Sequence, residues 1–504
     1  MNLLRLRAWR GLNTDIPASE LPDEFYSNVF NVRFPNGVAE RLEGYNADLG
    51  IGDPPVDPLR LIWSGSPLWV FVGESSQYAF GQAGYFDISF PGLSTQASAE
   101  LHSLTTLNGV VVHSNAKDEP MYWPGSTGTP FAILPDWPVS EVCANITGHR
   151  YHLFASNFLS NPRLIRWSSA TEPGSVPSSW TPRADNDAGF VELAESPGEI
   201  VAALTLRDTL IVYKSDSIHA ADYVGGNQVY AFRPLMRAIG ALSPRSIAVT
   251  PVGHVVVTQN DVFLTDGNSV TSIINNRVRK QLFDLLSEEN RLDLVCYYNP
   301  IRRETYIGFP RPGYRYADRV ACWCHDTQAW TFYSGDALSD VGLGIISQSY
   351  VAPWIEYPDP WVQHPEPWAD NITTFERLQL VGCRPTGLSG PRQIRIMDTG
   401  NDIVRTAFVE RDDLTFGEPE RFKYVRRVHV RRAPASAELQ LKIGYRNRLD
   451  DPITWSPVLS VEAGQSFVNT RITGRYISIW VGTTGSELWT LSGIDMEYEM
   501  RGYH

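Results

Sequence analysis

Apolar residues along this chain recur mostly at every second position, in short runs closed by turn residues. The segment LRDTLIVYKSDSIHAADYVGG, from Leu206 to Gly226, sets the pattern. It reads as a turn at Arg207-Asp208, a strand from Thr209 to Tyr213, a polar turn at Ser215-Asp216 and a second strand ending at Gly-Gly. Comparable strand-turn-strand units begin at Leu61, Leu104, Ile146, Thr250 and Tyr297. Their turns, near Gly65, Gly109, Gly148, Asp208, Gly253 and Arg303, are spaced by about 40 to 60 residues, the range of a four-stranded propeller blade. No Trp-Asp dipeptide, kelch double glycine or sialidase-type Asp box accompanies them. A meandering sandwich is the alternative. A β-propeller is expected in preference to it, because radial stacking buries the repeated strands and leaves only short edges.

Three stretches depart from the repeat. NNRVRKQLFDLLSEENRL aligns Val278, Leu282, Leu285 and Leu286 on one helical face, with Asn276 as the expected cap. PWIEYPDPWVQHPEPW, from Pro353 to Trp368, holds five prolines, which exclude a helix or a central strand. It reads as an insertion loop whose Trp354, Trp361 and Trp368 pack on the propeller or on a neighbouring subunit. From about Phe416 the alternation becomes that of half-buried antiparallel strands, as in ELQLKIGYR, RYISIWVG and GIDMEYEMRG. The expected fold is therefore all-β: an N-terminal platform segment (1–55), a propeller (56–415) and a C-terminal β-sandwich platform (416–504), joined by the N-terminal segment.

Composition narrows the function. With 43% hydrophobic and 20% charged residues in 504, the chain can bury a large core. Its net charge of −13 is the wrong sign for a protein that grips phosphates. Five scattered cysteines form no disulfide framework and fit a chain folded in a reducing cytoplasm. The N-terminus has no apolar signal region, and no run is long enough to span a membrane.

Candidate chemistry is sparse. Nucleophile-elbow, Walker, dinucleotide-binding and zinc-protease motifs are missing. His149 and His152 lack a third metal ligand in register and read as structural. Asp185 opens a turn that only begins like a calcium loop. Neither enzymatic activity nor a cofactor is expected. The strongest charge cluster is RFKYVRRVHVRR, with Arg421, Lys423, Arg426, Arg427, Arg431 and Arg432. Its arginines are expected to form ion pairs at a sheet edge or a subunit contact, which makes Arg426, Arg427, Arg431 and Arg432 the interface candidates.

Certain positions also resemble a known family. GLNTDIPASELPDEFYSNVFNVRFPNGVAERLEGY, with Gly11, Pro17, Leu21-Pro22, Asn28, Asn31-Val32, Gly37, Arg41 and Gly44, is similar to the start of tail nozzle proteins of short-tailed bacteriophages, the tail tubular protein B-like group. The likeness continues through Trp167-Ser168, Trp180 and GEIVAALTLRDTLIVYKSDSI, and then Gly444, Trp455, Gly464, GRYISIW, Trp489 and Gly493. It implies a virion protein, made in the host cytoplasm, that forms a homohexameric ring at the distal end of the tail. The implied partners are a tail adaptor above, fibres at the side, a plug or needle below, and viral DNA passing through the channel without sequence-specific binding. An acidic wall would let that DNA slide. The rival expectation is a tail-associated propeller that binds or hydrolyses host-surface carbohydrate.

Overall fold

The computed structural model describes residues 2–7, 9–46, 54–65, 68–81, 84–226, 228–348, 375–385, 394–399, 405–433, 438–462 and 464–502. Pro353–Trp368, with Trp354, Trp361 and Trp368, lies outside the described residues.

Seven antiparallel four-stranded blades are present among the described residues, within 60–87, 103–133, 143–192, 200–237, 247–272, 295–338 and, with one strand from residues 45–46, 340–397. They are numbered blades 1 to 7. Tight turns build them locally. In blade 2, Leu107 pairs with Val110 across Asn108-Gly109, both at positive φ (52° and 86°), the turn whose twist matches a hairpin. The strand Thr209–Lys214 shows why apolar residues run unbroken through a blade. Leu210 and Val212 pack toward blade 3 with Phe154, Trp167 and Tyr230. Ile211 and Tyr213 pack toward blade 5 with Val256 and Phe263. Both faces of the strand are buried, so both must be apolar.

The circle is closed in two ways. The first strand of blade 7, Asp340–Gln348, packs beside that of blade 1, Arg60–Trp63. The fourth strand of blade 7 is Tyr45–Asn46, paired with Ile394–Met397. The N-terminal segment thus completes a blade as well as contributing to the platform.

The platform is a two-sheet sandwich made from both ends of the chain. Its first sheet places Val32–Arg33, Ala39–Arg41, Thr490–Met500, Lys423–Arg432 and Phe467–Gly474 side by side, and Asn2–Leu6 also pairs with Thr490–Met500. The second is an extension of blade 6. The strand Asn28–Phe30 joins Trp330–Leu338 in parallel and Ala407–Leu414 antiparallel; Tyr476–Thr483 and Leu439–Arg446 follow. Ala407–Leu414 precedes Phe416 in sequence but belongs to this sandwich. The core between the sheets includes Leu6, Val428, Ile494 and Met496 facing Leu441, Ile443, Ile479 and Val481, and it runs on to Trp330 and Leu282.

The helix is shorter than its apolar pattern, Arg279–Leu285. Asn276 does not cap it; it sits at φ 54° two residues before the cap position, Val278. The capping acceptor comes from the N-terminal segment, where the Asp15 carboxylate accepts the backbone N–H groups of Arg279 (3.2 Å) and Lys280 (3.1 Å). Among the described residues no helix is long and apolar enough to cross a membrane.

Candidate functional site

The strand Lys423–Arg432 holds the four candidate arginines. It is not an edge, since it is hydrogen-bonded to Thr490–Met500 on one side and Phe467–Gly474 on the other. Strict alternation would spread the arginines over both faces. Register shifts at Val425/Arg427 and Arg431/Arg432 break it, so Val428 and Val430 turn inward while Arg427, His429 and Arg431 share the outer face.

On that face the arginines find partners within their own chain. Arg431 Nη2 lies 2.6 Å from Asp495 Oδ2, and Arg7 Nη1 lies 2.8 Å from Asp495 Oδ1. Arg427 Nη1 is 3.6 Å from Glu497 Oε1, and its guanidinium stacks over Phe467 at 4.4 Å. His429 Nε2 is 2.8 Å from the same Glu497 oxygen. Arg432 donates to the Val461 and Glu462 carbonyls, whereas Arg426 stays exposed at the register shift. Burial opposes the charge of Asp495, but hydrogen bonds from Arg7 and Arg431 outweigh it and hold its pKa below the usual range. The hydrogen bond from His429 does the same for Glu497. Ion pairs of Arg427 and Arg431 are thus made inside one chain, on a central strand. A cleft of about 520 Å³ lies beside them, lined by His429, Arg431, Arg432, Gln465 and Asp495.

A second cluster sits at the start of the innermost strands of blades 1, 5 and 7. Arg60 Nε donates to Asp340 Oδ2 at 2.9 Å, and the Leu61 N–H donates to the same oxygen at 3.0 Å. Blade 1 is thereby clamped to blade 7 where the circle closes. Arg245, 5% exposed, faces Asp340 at 3.9 Å, and its three guanidinium nitrogens have no hydrogen-bond partner among the described residues. Arg60 also donates to the His102 carbonyl. His102 contacts His113 at 3.1 Å, and His113 contacts Gln77 at 2.6 Å. Burial lowers the His102 pKa to about 4, aided by the charges of Arg60 and Arg245. Local patterning could not find this cluster, because its members lie in blades far apart in sequence.

His152 is satisfied as a structural histidine, bound to Asp187 Oδ2 (3.0 Å) and the Tyr230 hydroxyl (2.9 Å). His149 contacts Thr205 at 2.9 Å through Nδ1, while its Nε2 has no partner among the described residues. Asp185 lies in a turn where Asn186 Oδ1 accepts the Arg183 N–H at 3.1 Å. That turn lines an open cleft of about 1050 Å³ with Trp167, Phe190 and Tyr230. Of these rings only Phe190 is open to solvent, at 56% exposure. Among the described residues no group of three or more His, Cys, Asp or Glu is placed to hold a metal ion.

No family model matches the chain, and neither does any curated protein. Solved propellers do resemble it. The WD40 propeller domain of Doa1 aligns with a TM-score of 0.39 at 7% identity, over 71% of this chain and 96% of that one. PorZ, a surface component of the type-IX secretion system of Porphyromonas gingivalis, aligns at 0.36 and 9% identity over 73% of this chain. This chain spans 44% of PorZ. The Pan2 WD40 domain of Neurospora crassa aligns at 0.32 and 11% identity, over 67% and 97% of the two chains.

Proposed function

We propose that this chain is a structural virion protein. In this reading it is the distal tail nozzle of a short-tailed bacteriophage, a ring of six copies bound to the tail adaptor around a channel that passes the genome. It acts as a load-bearing scaffold and not as an enzyme.

The observation that carries the proposal is where the resembling residues lie. Gly11, Asn28 and Asn31 sit in the seam where blade 6 becomes the platform, and Arg41 lies within the platform beside it. Gly11 has φ 73°, and a Cβ there would stand 2.6 Å from the Trp330 carbonyl oxygen. That closeness lets the Leu12 N–H donate to the Trp330 carbonyl at 2.8 Å. Asn31 donates from Nδ2 to Thr406 O (2.8 Å) and accepts the Ser334 N–H at Oδ1 (2.8 Å), stitching platform to blade. Inside the platform, Arg41 donates to the Gly485 carbonyl at 2.8 Å and holds the loop between its last two strands. Residues that couple two bodies into one rigid piece are those a pressurised tube needs. The acidic net charge supports a wall over which DNA slides.

Mass measurement of the purified full chain, alone and with the adaptor, tests the proposal, together with antibody labelling of virions. A six-copy ring on the adaptor and label at the tail tip are expected. A chain that stays monomeric with the adaptor and is missing from particles would refute it. The open cleft at Phe190 favours one second reading, a tail-associated propeller that binds or hydrolyses host-surface carbohydrate. Saccharide binding that is lost in Phe190→Ala, with no ring, would select it.

A further inference from the structure

Two long edges of the first platform sheet are open; its third terminal strand, the two-residue Val32–Arg33, is met by Thr331, whose hydroxyl donates to the Val32 carbonyl. Among the described residues, Asn2–Leu6 is paired only with Thr490–Met500, and Phe467–Gly474 only with Lys423–Arg432. Both rows of unpaired N–H and C=O groups are a liability that proteins usually blunt with proline, lysine or a bulge. Phe467–Gly474 reads FVNTRITG, eight residues with neither proline nor lysine; Arg471 and a bulge between Asn469 and Ile472 interrupt it only in the middle, leaving both ends regular.

The directions of the strands determine what can cover these edges. From Asn2–Leu6 through Thr490–Met500 and Lys423–Arg432 to Phe467–Gly474, each step is antiparallel. Four strands in alternation leave the two outermost running in opposite directions. A copy rotated about an axis along the strands therefore brings its Asn2–Leu6 edge antiparallel to the Phe467–Gly474 edge of its neighbour, and the alternation continues unbroken.

The faces match as well. Leu3 and Arg5 stand opposite Glu497 and Asp495, on the face of Arg427 and His429, which stand opposite Asn469 and Phe467. On the other face, Leu6, Met496, Val428 and Val468 line the core, with Leu4 and Ile472 packed against it. Joining the edges places apolar beside apolar on the inner face. On the outer face it brings two exposed apolar side chains to one seam, Leu3 at 44% and Phe467 at 36%, two residues apart along the strands.

We propose that copies of this chain join head to tail through these edges, Asn2–Leu6 of one pairing with Phe467–Gly474 of the next, to make a continuous β-wall around the ring. The inference rests on the ring reading above and names its interface. Such a contact uses two different surfaces of one chain, the kind that closes into rings of more than two copies. Pairing of Phe467–Gly474 with itself about a two-fold axis would stop at a dimer and leave Asn2–Leu6 uncovered.

Cysteine cross-linking of the full chain on the adaptor tests this. Leu3→Cys is combined in turn with Phe467→Cys, Asn469→Cys and Arg471→Cys to cover the possible registers, with the parent chain and the single variants as controls. At least one pair is expected to give an oxidation-dependent ladder beyond the dimer that neither single variant gives. Rings that form by mass while every pair stays uncross-linked would overturn the interface and leave the ring reading standing. Dimers from Asn469→Cys alone would reveal two-fold pairing and also overturn it. Failure to form any ring would overturn both.

Discussion

The propeller and the platform solve the same packing problem with opposite chain logic. Each of blades 1 to 6 is built from one continuous stretch, so its strands meet without leaving it. The platform instead brings residues 2–41 to residues 407–500, so most of the chain must be looped out before its sheets can pair. Such contacts are entropically costly and slow to form, because loop closure precedes any reward. Their buried polar groups differ too. All seven described propeller histidines have lowered pKa values, chiefly from burial. The platform holds a half-buried carboxyl pair, Glu410 and Asp412, beside the seam, both with pKa values raised chiefly by burial.

The largest expected effect comes from the residue both regions share. Trp330 is fully buried, and its indole N–H donates to the Ile273 carbonyl at 3.0 Å. Trp330→Ala should cost about 3–5 kcal/mol. Denaturant unfolding followed by separate probes of propeller and platform should show both losing stability. A loss confined to one would break the idea of a shared seam.

Acid should next distinguish the two regions. Burial depresses the His254 pKa to about 4, and its imidazole contacts the Tyr213 hydroxyl at 2.8 Å. In the unfolded chain it titrates near the ordinary value of roughly 6.5, so its stabilising contribution is complete above that pH and is lost as pH falls through about 4. The sum for one such group is about 3 kcal/mol. His254→Gln should flatten the acid limb of blade unfolding, read by circular dichroism against pH. An unchanged acid limb would remove His254 from that role.

Gly11→Ala should cost about 2 kcal/mol, from a positive φ and the close Trp330 carbonyl. It should loosen hydrogen-exchange protection along Asn28–Phe30 more than in blades 3 and 4. Equal loosening everywhere would mean the seam is not a separate unit.

The smallest effect runs the other way in pH. Burial and the neighbouring Asp412 charge raise Glu410 to about 7. The folded state holds this proton more tightly than the unfolded chain, so stability falls as pH rises from about 4.5 through 7. Discounted for partial exposure, the loss is about 1 kcal/mol. Glu410→Gln should abolish this alkaline drift in thermal melts; a drift that persists would assign it to another group.

Much of the propeller was legible because hairpins are local. The Asn108-Gly109 turn, the alternation of Thr209–Tyr213 and the apolar face of Val278 and Leu282 can each be read from a dozen residues. Blade 7 was not legible. The partner of its first strand, Phe375–Cys383, returns only after the proline-rich stretch, and its last strand, Tyr45–Asn46, comes from the other end of the sequence. The arginine strand was found by composition, but its central position was hidden, because neither of its neighbours, Phe467–Gly474 and Thr490–Met500, adjoins it in sequence. Arg245 carried no signal at all: one arginine after a Ser-Pro looks like any surface turn.

The amino-acid order alone determined an all-β chain, its hairpin units and the apolar faces of its strands, since pleat, twist and turn depend on neighbours a few residues apart. Only the tertiary structure decided that seven blades close, that Asn28–Phe30 welds blade 6 to the platform, and that Asp495 gathers Arg7 and Arg431. Those outcomes depend on which distant surfaces bury each other best, a competition among whole-chain arrangements that no short window of residues contains.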